Sequence, residues 1–290
     1  MKIGSLSLLC ALIATVGTMT HALAQQQQEA TRSITNITGD LYRAQDNAHY
    51  TVFLTTPEGI ILADPINREF ATWLKAELDE RFSSSVKYVL YSHYHGDHAS
   101  GGDVFAETAE FISHENMLTN LQREAGAEAL RDVRPPDTTY SDRTTVTLGG
   151  KTVELIHSVP SHSDDMSILL FPEERTAFAV DFVSARRLPF RTMEGASPRE
   201  WIAATQQLQT LDYDILALGH GDMGAKTDAD DYSSYLTSLL AAVSEGIAEG
   251  KSVEELQQSI MLEDYKDWGQ YDAWRAENIL GTYTSLTEGQ

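Results

Sequence analysis

Cysteine is almost missing from this sequence: one residue, Cys10, in 290. Basic residues are few, 21 Lys and Arg against 43 Asp and Glu, which leaves a formal charge of −22. A chain this acidic offers no basic face to a phosphate backbone, which argues against nucleic acid as a partner and against docking on anionic lipid. The apolar run Leu6 to Val16 is too short to span a bilayer, which takes about 20 residues. Met1-Lys2 precedes it and the small-x-small triplet Ala22-Leu23-Ala24 comes after it, so residues 1–24 read as a secretory signal peptide. The expected location is the periplasm or the exterior, with no membrane attachment once the signal is removed. Past Ala24 no cysteine remains, which excludes disulfides, cysteine nucleophiles and thiolate metal sites. Stability then has to come from the core and from any bound metal.

What is present suits a globular protein, with 42% hydrophobic and 22% charged residues. Residues 25–40, opening on Gln25 to Gln28, read as a polar tether, and 41–290 as one continuous domain. Apolar, β-branched stretches predict strands at His49–Thr55, Gly59–Ala63 and Val86–Tyr91. Further strands are expected at Glu110–Ser113, Thr144–Leu148, Thr152–His157, Met166–Phe171, Thr176–Val180 and Ile215–Leu218. Helical spacing of Phe70, Trp73, Leu74 and Leu78 predicts a helix over 67–82. Other helices are expected at His114–Gly126, Pro198–Leu211, Asp228–Gly250 and Tyr271–Leu280. Strands and helices interleave throughout, so the class is α/β. More than eight strands is too many for one comfortable open sheet, which points to two packed sheets.

The chemistry concentrates in Ser92-His93-Tyr94-His95-Gly96-Asp97-His98. Three imidazoles and a carboxylate lie within six residues, directly after an apolar strand. Residues two apart in extended chain share a face, so His93 and His95 can meet on one ion. Gly96 frees the backbone to turn, which brings Asp97 and His98 toward a second position. Neutral imidazole and carboxylate suit zinc or iron, with zinc the default.

The pattern His93-x-His95-x-Asp97-His98 resembles the signature of the metallo-β-lactamase superfamily. Later segments come in that family's order. Val159-Pro160-Ser161-His162-Ser163-Asp164 is similar to its P-G-H-[ST]-x-D segment, with Ser161 where Gly is usual. Phe178-Ala179-Val180-Asp181 resembles the strand that ends in a bridging aspartate, and Leu218-Gly219-His220-Gly221-Asp222 its late G-H-G loop. Asp64 resembles an early aspartate that stands behind the ligands. The resemblance implies a four-layer αβ/βα sandwich, two mixed sheets flanked by helices, with metals at one edge. It also implies two zinc ions, or iron in some members. His93, His95 and His162 would hold the first and Asp97, His98 and His220 the second, with Asp181 between them and Asp97 also orienting the attacking water.

The implied activity is hydrolysis of a lactone, ester or lactam bond in a small molecule by hydroxide activated on the metals. A thioesterase of the hydroxyacylglutathione hydrolase type, an iron-containing member with sulfur or oxygen chemistry, and a non-catalytic zinc-binding protein are the competing readings. Other features carry blander readings. His49 is read as structural, and His114 and His157 as packing or supporting hydrogen bonds. Arg186-Arg187 reads first as a surface charge pair, although it could meet a substrate carboxylate. Met117, Leu118 and Leu121 read as one helix face, and Tyr265, Trp268, Tyr271 and Trp274 as a C-terminal helix packed on the core.

Overall fold

The computed structural model describes residues 30–288, so the expected signal peptide, 1–24, lies outside the described residues. Successive strand residues face opposite ways, and here both faces of the central strands are apolar, so each sheet has to be covered twice. The first sheet holds β1 (Arg32–Thr38), β2 (Leu41–Asp46), β3 (His49–Thr56), β4 (Gly59–Leu62), β5 (Val86–Leu90), β6 (Glu110–His114) and β7 (Thr138–Tyr140), in that order. The second holds β8 (Arg143–Leu148), β9 (Lys151–His157), β10 (Ser167–Phe171), β11 (Thr176–Ala179), β12 (Ile215–Leu218) and β13 (Gly224–Ala225), again in chain order. Both are mixed: β4 to β7 run parallel in the first, and β11 and β12 in the second.

Period two sorts the core into layers. Val52, Leu54, Ile61 and Leu90 turn inward to meet Leu155, Leu169, Phe171 and Phe178 between the sheets. Phe53, Ile60, Leu62 and Val89 turn outward onto α1 (Arg68–Phe82), through Phe70, Leu74 and Leu78. Ile168 and Leu170 face the other way, onto α4 (Pro198–Gln209), α5 (Lys226–Ala248) and α7 (Tyr271–Glu288), where Trp201, Leu208, Tyr232, Leu239 and Ile279 are buried. Helix, sheet, sheet, helix is the expected four-layer sandwich. Two short helices, α2 (Gly96–Ala99) and α3 (Asn116–Arg123), lie on the first sheet's side, and α6 (Val253–Ser259) stands before α7. Sequence fixes the helix starts: Asn67 caps α1, and Ser197, Pro198 and Glu200 form a capping box with proline at the first turn of α4.

Three expectations need correction. The segment 25–40 is not a tether throughout, because β1 pairs along its length with β2. β1, at the sheet's edge, and β2, between it and β3, both mix polar with apolar residues, and so neither stands out as an apolar run. The helix expected from His114 begins at Asn116, and His114 closes β6, buried against Tyr140. The C-terminal helix runs on to Glu288, beyond the expected Leu280.

The connection from β9 to β10, residues 158–166, carries His162 and rests on a buried carboxylate. Asp165 is 1% exposed; Ser163 Oγ donates to its Oδ1, while Oδ2 has no partner among the described residues. Burial pushes its pKa up from 3.8 to about 7, against the hydrogen bond from Ser163. A carboxyl whose folded pKa is raised costs nothing below pH 4, where both states are neutral. The cost grows as pH rises toward 7 and stays constant above it, on the order of a few kcal/mol. Asp165→Asn, which cannot ionise, is therefore expected to melt several degrees above the parent at pH 8 and at the same temperature near pH 4. An Asn variant that melts below the parent at pH 8 contradicts this assignment.

Candidate metal centre

Six of the seven predicted ligands project from segments just past the C-terminal ends of strands. His93, His95, Asp97 and His98 come after β5, Asp181 after β11 and His220 after β12; His162 comes from the 158–166 connection. The structure brings all seven together although they span residues 93 to 220. Asp181 Oδ2 lies 3.4 Å from His93 Nε2, 3.4 Å from His98 Nε2 and 3.5 Å from His162 Nε2, and Oδ1 lies 3.2 Å from His220 Nε2. His95 Nδ1 is 2.8 Å from His162 Nε2, and His98 Nε2 is 3.1 Å from His220 Nε2. Asp97 Oδ2 stands 3.6 Å from His98 Nε2 and 4.0 Å from His220 Nε2. Two groups of donors share Asp181, His93 with His95 and His162 on one side and His98 with His220 on the other, and a third brings Asp97 together with His49 and His220.

Each ring is oriented from behind. Asp64, fully buried, accepts from Ser92 N at 2.7 Å and from Ser92 Oγ at 2.6 Å. Ser92 has thus used its proton, so at 2.9 Å it accepts from His93 Nδ1, which leaves the Nε2 lone pair facing Asp181. Asp64 Oδ2 also lies 3.6 Å from His98 Nδ1. His220 Nδ1 donates to the Ala48 carbonyl at 3.0 Å, which again turns Nε2 into the cluster. Arg43, 8% exposed, donates to the carbonyls of Leu218 at 3.0 Å and Gly221 at 2.6 Å and so pins the loop that bears His220.

Close approach explains the glycines. A Cβ on Gly219 would come within 2.7 Å of Val180 and 3.2 Å of His98. Gly96 opens α2 with ordinary helical backbone; it is required because a Cβ there would lie 1.8 Å from the Ala129 carbonyl, not because the chain needs freedom to turn. Ser161 is not among the residues with positive φ, so a serine serves where the resembling motif has glycine. Asp181 is the strained residue, with φ 63°.

The electrostatics keep His93 and His95 neutral and the carboxylates charged, and they favour the charged form of His98. Burial, reinforced by His95, holds His93 well below its usual pKa, and burial with His162 brings His95 down to about 4. Burial would raise Asp181, but His98 and the other imidazoles outweigh it and keep the carboxylate ionised. Asp97 is likewise lowered, against burial, by His49 and His98. Burial opposes charge on His98 too, yet Asp181, Asp64 and Asp97 together raise it to about 9.

This donor set fits divalent metal. His93 Nε2 is buried without a hydrogen-bond partner, an expensive state for a polar atom that a cation would relieve. Two imidazole pairs meet nitrogen to nitrogen, which repels unless a proton or a cation lies between. Nitrogens about 2.0–2.1 Å from one zinc ion are themselves roughly 3.3 Å apart, close to these spacings.

The cluster opens into a cavity of about 470 Å³, lined by His95, Asp97, His162, Asp181 and His220 and, beyond the predicted ligands, by His49, Ser184, Arg187 and Phe190. His49 is not merely structural: its Nε2 is 3.4 Å from Asp97 Oδ2, and its backbone bridges to His220. Arg187 lines the wall, whereas Arg186 is exposed. Ser184 and Phe190 complete that side. His114 and His157 stack on each other, centroids 3.6 Å apart, outside this cavity, and hydrogen-bond to the Ser141 and Asp164 carbonyls.

A family model described as the metallo-β-lactamase superfamily matches residues 54–220, more than half of the chain. The chain is 27% identical over 188 residues to the 2,4-dinitroanisole O-demethylase subunit alpha of Nocardioides sp. (strain JS1661), covering 63% of this chain and 56% of that one. It thus spans about half the length of that relative. A hydroxyacylglutathione hydrolase of Francisella tularensis subsp. tularensis (strain WY96-3418) is 24% identical over 221 residues, covering 74% of this chain and 81% of its own. Among solved structures, a metallo-β-lactamase from Pontibacter korlensis superposes with a TM-score of 0.63 at 19% identity, over 71% of this chain and 99% of its own. With five ordered sequence elements, the four-layer sandwich and this match in agreement, the chain belongs to the metallo-β-lactamase superfamily.

Proposed function

We propose that the chain is a metal-dependent hydrolase that cleaves a lactone, ester or lactam bond of a small molecule with two zinc ions. The observation that carries this reading is one carboxylate, Asp181, largely withdrawn from solvent and shared by two sets of imidazoles at a cavity sized for a small molecule. His93, His95 and His162 would hold one ion, and Asp97, His98 and His220 the other, with Asp181 serving both. When bound, such a pair supplies water acidified toward neutral pH and Lewis acidity for the oxyanion that develops on the substrate.

The chain's own residues supply the rest. Asp97 stays a carboxylate at neutral pH, helped by His49 and His98, and its side chain, 53% exposed, lines the cavity. It is a hydrogen-bond acceptor placed to orient the attacking water toward the substrate. His49 steadies that carboxylate at its Oδ2. Asp64 and Ser92 keep His93 in one tautomer, so that its lone pair does not rotate away during turnover.

A second reading, thioester hydrolysis, is favoured by the 81% of a hydroxyacylglutathione hydrolase that the chain covers. The Lys2 start, the Leu6–Val16 run and Ala22-Leu23-Ala24 support export to the periplasm or the exterior. Metal analysis of protein purified without added metal distinguishes zinc from iron.

A panel of lactones, aryl esters, cephalosporins and thioesters tests the reading and finds the bond cleaved. On the best substrate, Asp97→Ala is expected to lower kcat by roughly 10²–10⁴-fold. The group formed by His93, His95 and His162 should keep its ion in that variant. Turnover within tenfold of the parent, at equal metal content, contradicts the role given to Asp97.

A further inference from the structure

The loop after Asp181 carries three arginines with no anionic partner among the described residues: Arg186 is exposed, Arg191 lies over the Phe190 ring, and Arg187 lines the cavity. Arg175 is engaged by Asp212 and Asp214, and Arg43 by two carbonyls. Arg187, among the described residues, has only the Trp274 ring, 4.7 Å from its guanidinium carbon. That is unexpected in a chain with twice as many acids as bases. Burial lowers the pKa of Arg187, and Asp181 offsets this only in part. Its charge is therefore partly stripped of water and open to an anion from the cavity.

The position of Arg187 is built rather than incidental. Leu188 N donates to the Gly269 carbonyl at 3.0 Å, and Gly269 N to the Arg186 carbonyl at 2.8 Å, so the loop is tied on both sides of Arg187 to the segment before α7. Asn278 on α7, fully buried, donates to the carbonyls of Pro189 at 3.0 Å and Arg191 at 2.6 Å, and accepts from Tyr235 at 2.6 Å. Arg186 and Arg191 are held at φ 47° and 45°, a conformation that non-glycine residues adopt only where the surroundings enforce it. Next along the wall stands Phe190, 54% exposed, with its ring edge-on to Trp274 at 5.1 Å. A fixed guanidinium beside an exposed aromatic ring matches an anion with an apolar body.

We propose that Arg187 is the anchor for an oxyanion on the substrate, so that the site selects small molecules bearing a carboxylate or sulfo group next to an apolar part that lies on Phe190. This rests on the hydrolase reading and narrows its substrate class. The guanidinium fork pairs with two oxygens of the anion, while the bond to be cleaved is presented to the histidine cluster that lines the same cavity. A neutral analogue leaves the guanidinium covered and unpaired, and so binds worse.

The test uses metal-replete protein and two matched esters, mono-4-nitrophenyl succinate, which carries a carboxylate, and neutral 4-nitrophenyl butyrate. Binding of 4-phenylbutyrate and of hexyl sulfate is measured separately by calorimetry and by tryptophan fluorescence, since Trp274 touches Arg187. The parent is expected to prefer the anionic ester, and Arg187→Ala to reduce that preference in kcat/KM by roughly 10- to 100-fold, mainly through KM. The same variant should weaken binding of the two anions by a similar factor, Arg187→Lys should restore part of it, and Arg186→Ala should change neither. The two anions separate carboxylate from sulfo recognition. Anion binding equally tight in the parent and in Arg187→Ala, or none in the parent, overturns the proposal. If anions bind through Arg187 while neither ester nor any other panel substrate is cleaved, the hydrolase reading fails and the anchor stands. If both esters are cleaved with no dependence on Arg187, the anchor fails and the hydrolase reading stands.

Discussion

A carboxylate withdrawn from most of its water is tolerated only where partners replace it, and Asp181, its side chain 12% exposed, is surrounded by His93, His98, His162 and His220 for that reason. The constraint works in both directions. Four rings from three separate segments can meet on one side chain only if the C-terminal ends of β5, β11 and β12 arrive at the same edge. That in turn requires the two sheets to pack face to face through Phe178, Leu169 and Leu90. The residue itself sits at φ 63°, a conformation that costs on the order of 1–3 kcal/mol and is held in place by the cluster around it. Gly219 belongs to the same constraint, since any side chain there would intrude between Val180 and His98.

Much of this was legible in the sequence, and the rest was hidden for physical reasons. His93, His95, Asp97 and His98 are legible because adjacent ligands leave a dense polar cluster after an apolar strand. Asp64, His162, Asp181 and His220 are isolated residues whose meaning came from resemblance to a family, not from their surroundings. His49 and Arg43 escaped both routes. Their roles arise from contacts that β2, through Arg43, and the start of β3, through His49, make with residues 218–221, some 170 residues away, and a lone His or Arg in a strand gives no sign of that. The strands β1, at the sheet's edge, and β2, beside it, were missed because their few apolar residues, such as Ile34, Ile37, Leu41 and Ala44, are interleaved with polar ones. Gly96 was recognised as necessary for the wrong reason: crowding by Ala129, which only the folded chain reveals, excludes a side chain there.

The family match ends at residue 220, yet one wall of the cavity depends on residues beyond it. Helices α5 and α7 cover the second sheet through Tyr232, Leu239 and Ile279, and Asn278 and Gly269 hold the loop that bears Arg187 and Phe190. The histidine cluster and the loop of Arg187 and Phe190 both lie within the matched span, but that loop is held in place by residues beyond it. Arg187 could be seen in the sequence as a cation near Asp181, but its half-buried setting is made by Trp274, on the last helix.

The central claim is that one carboxylate organises two metal positions, and anomalous diffraction from crystals of the metal-replete protein tests it most directly. Two peaks are expected on either side of Asp181, one among His93, His95 and His162 and the other among Asp97, His98 and His220. A single peak away from Asp181, or His162 or His220 turned out of the cluster, would contradict the account.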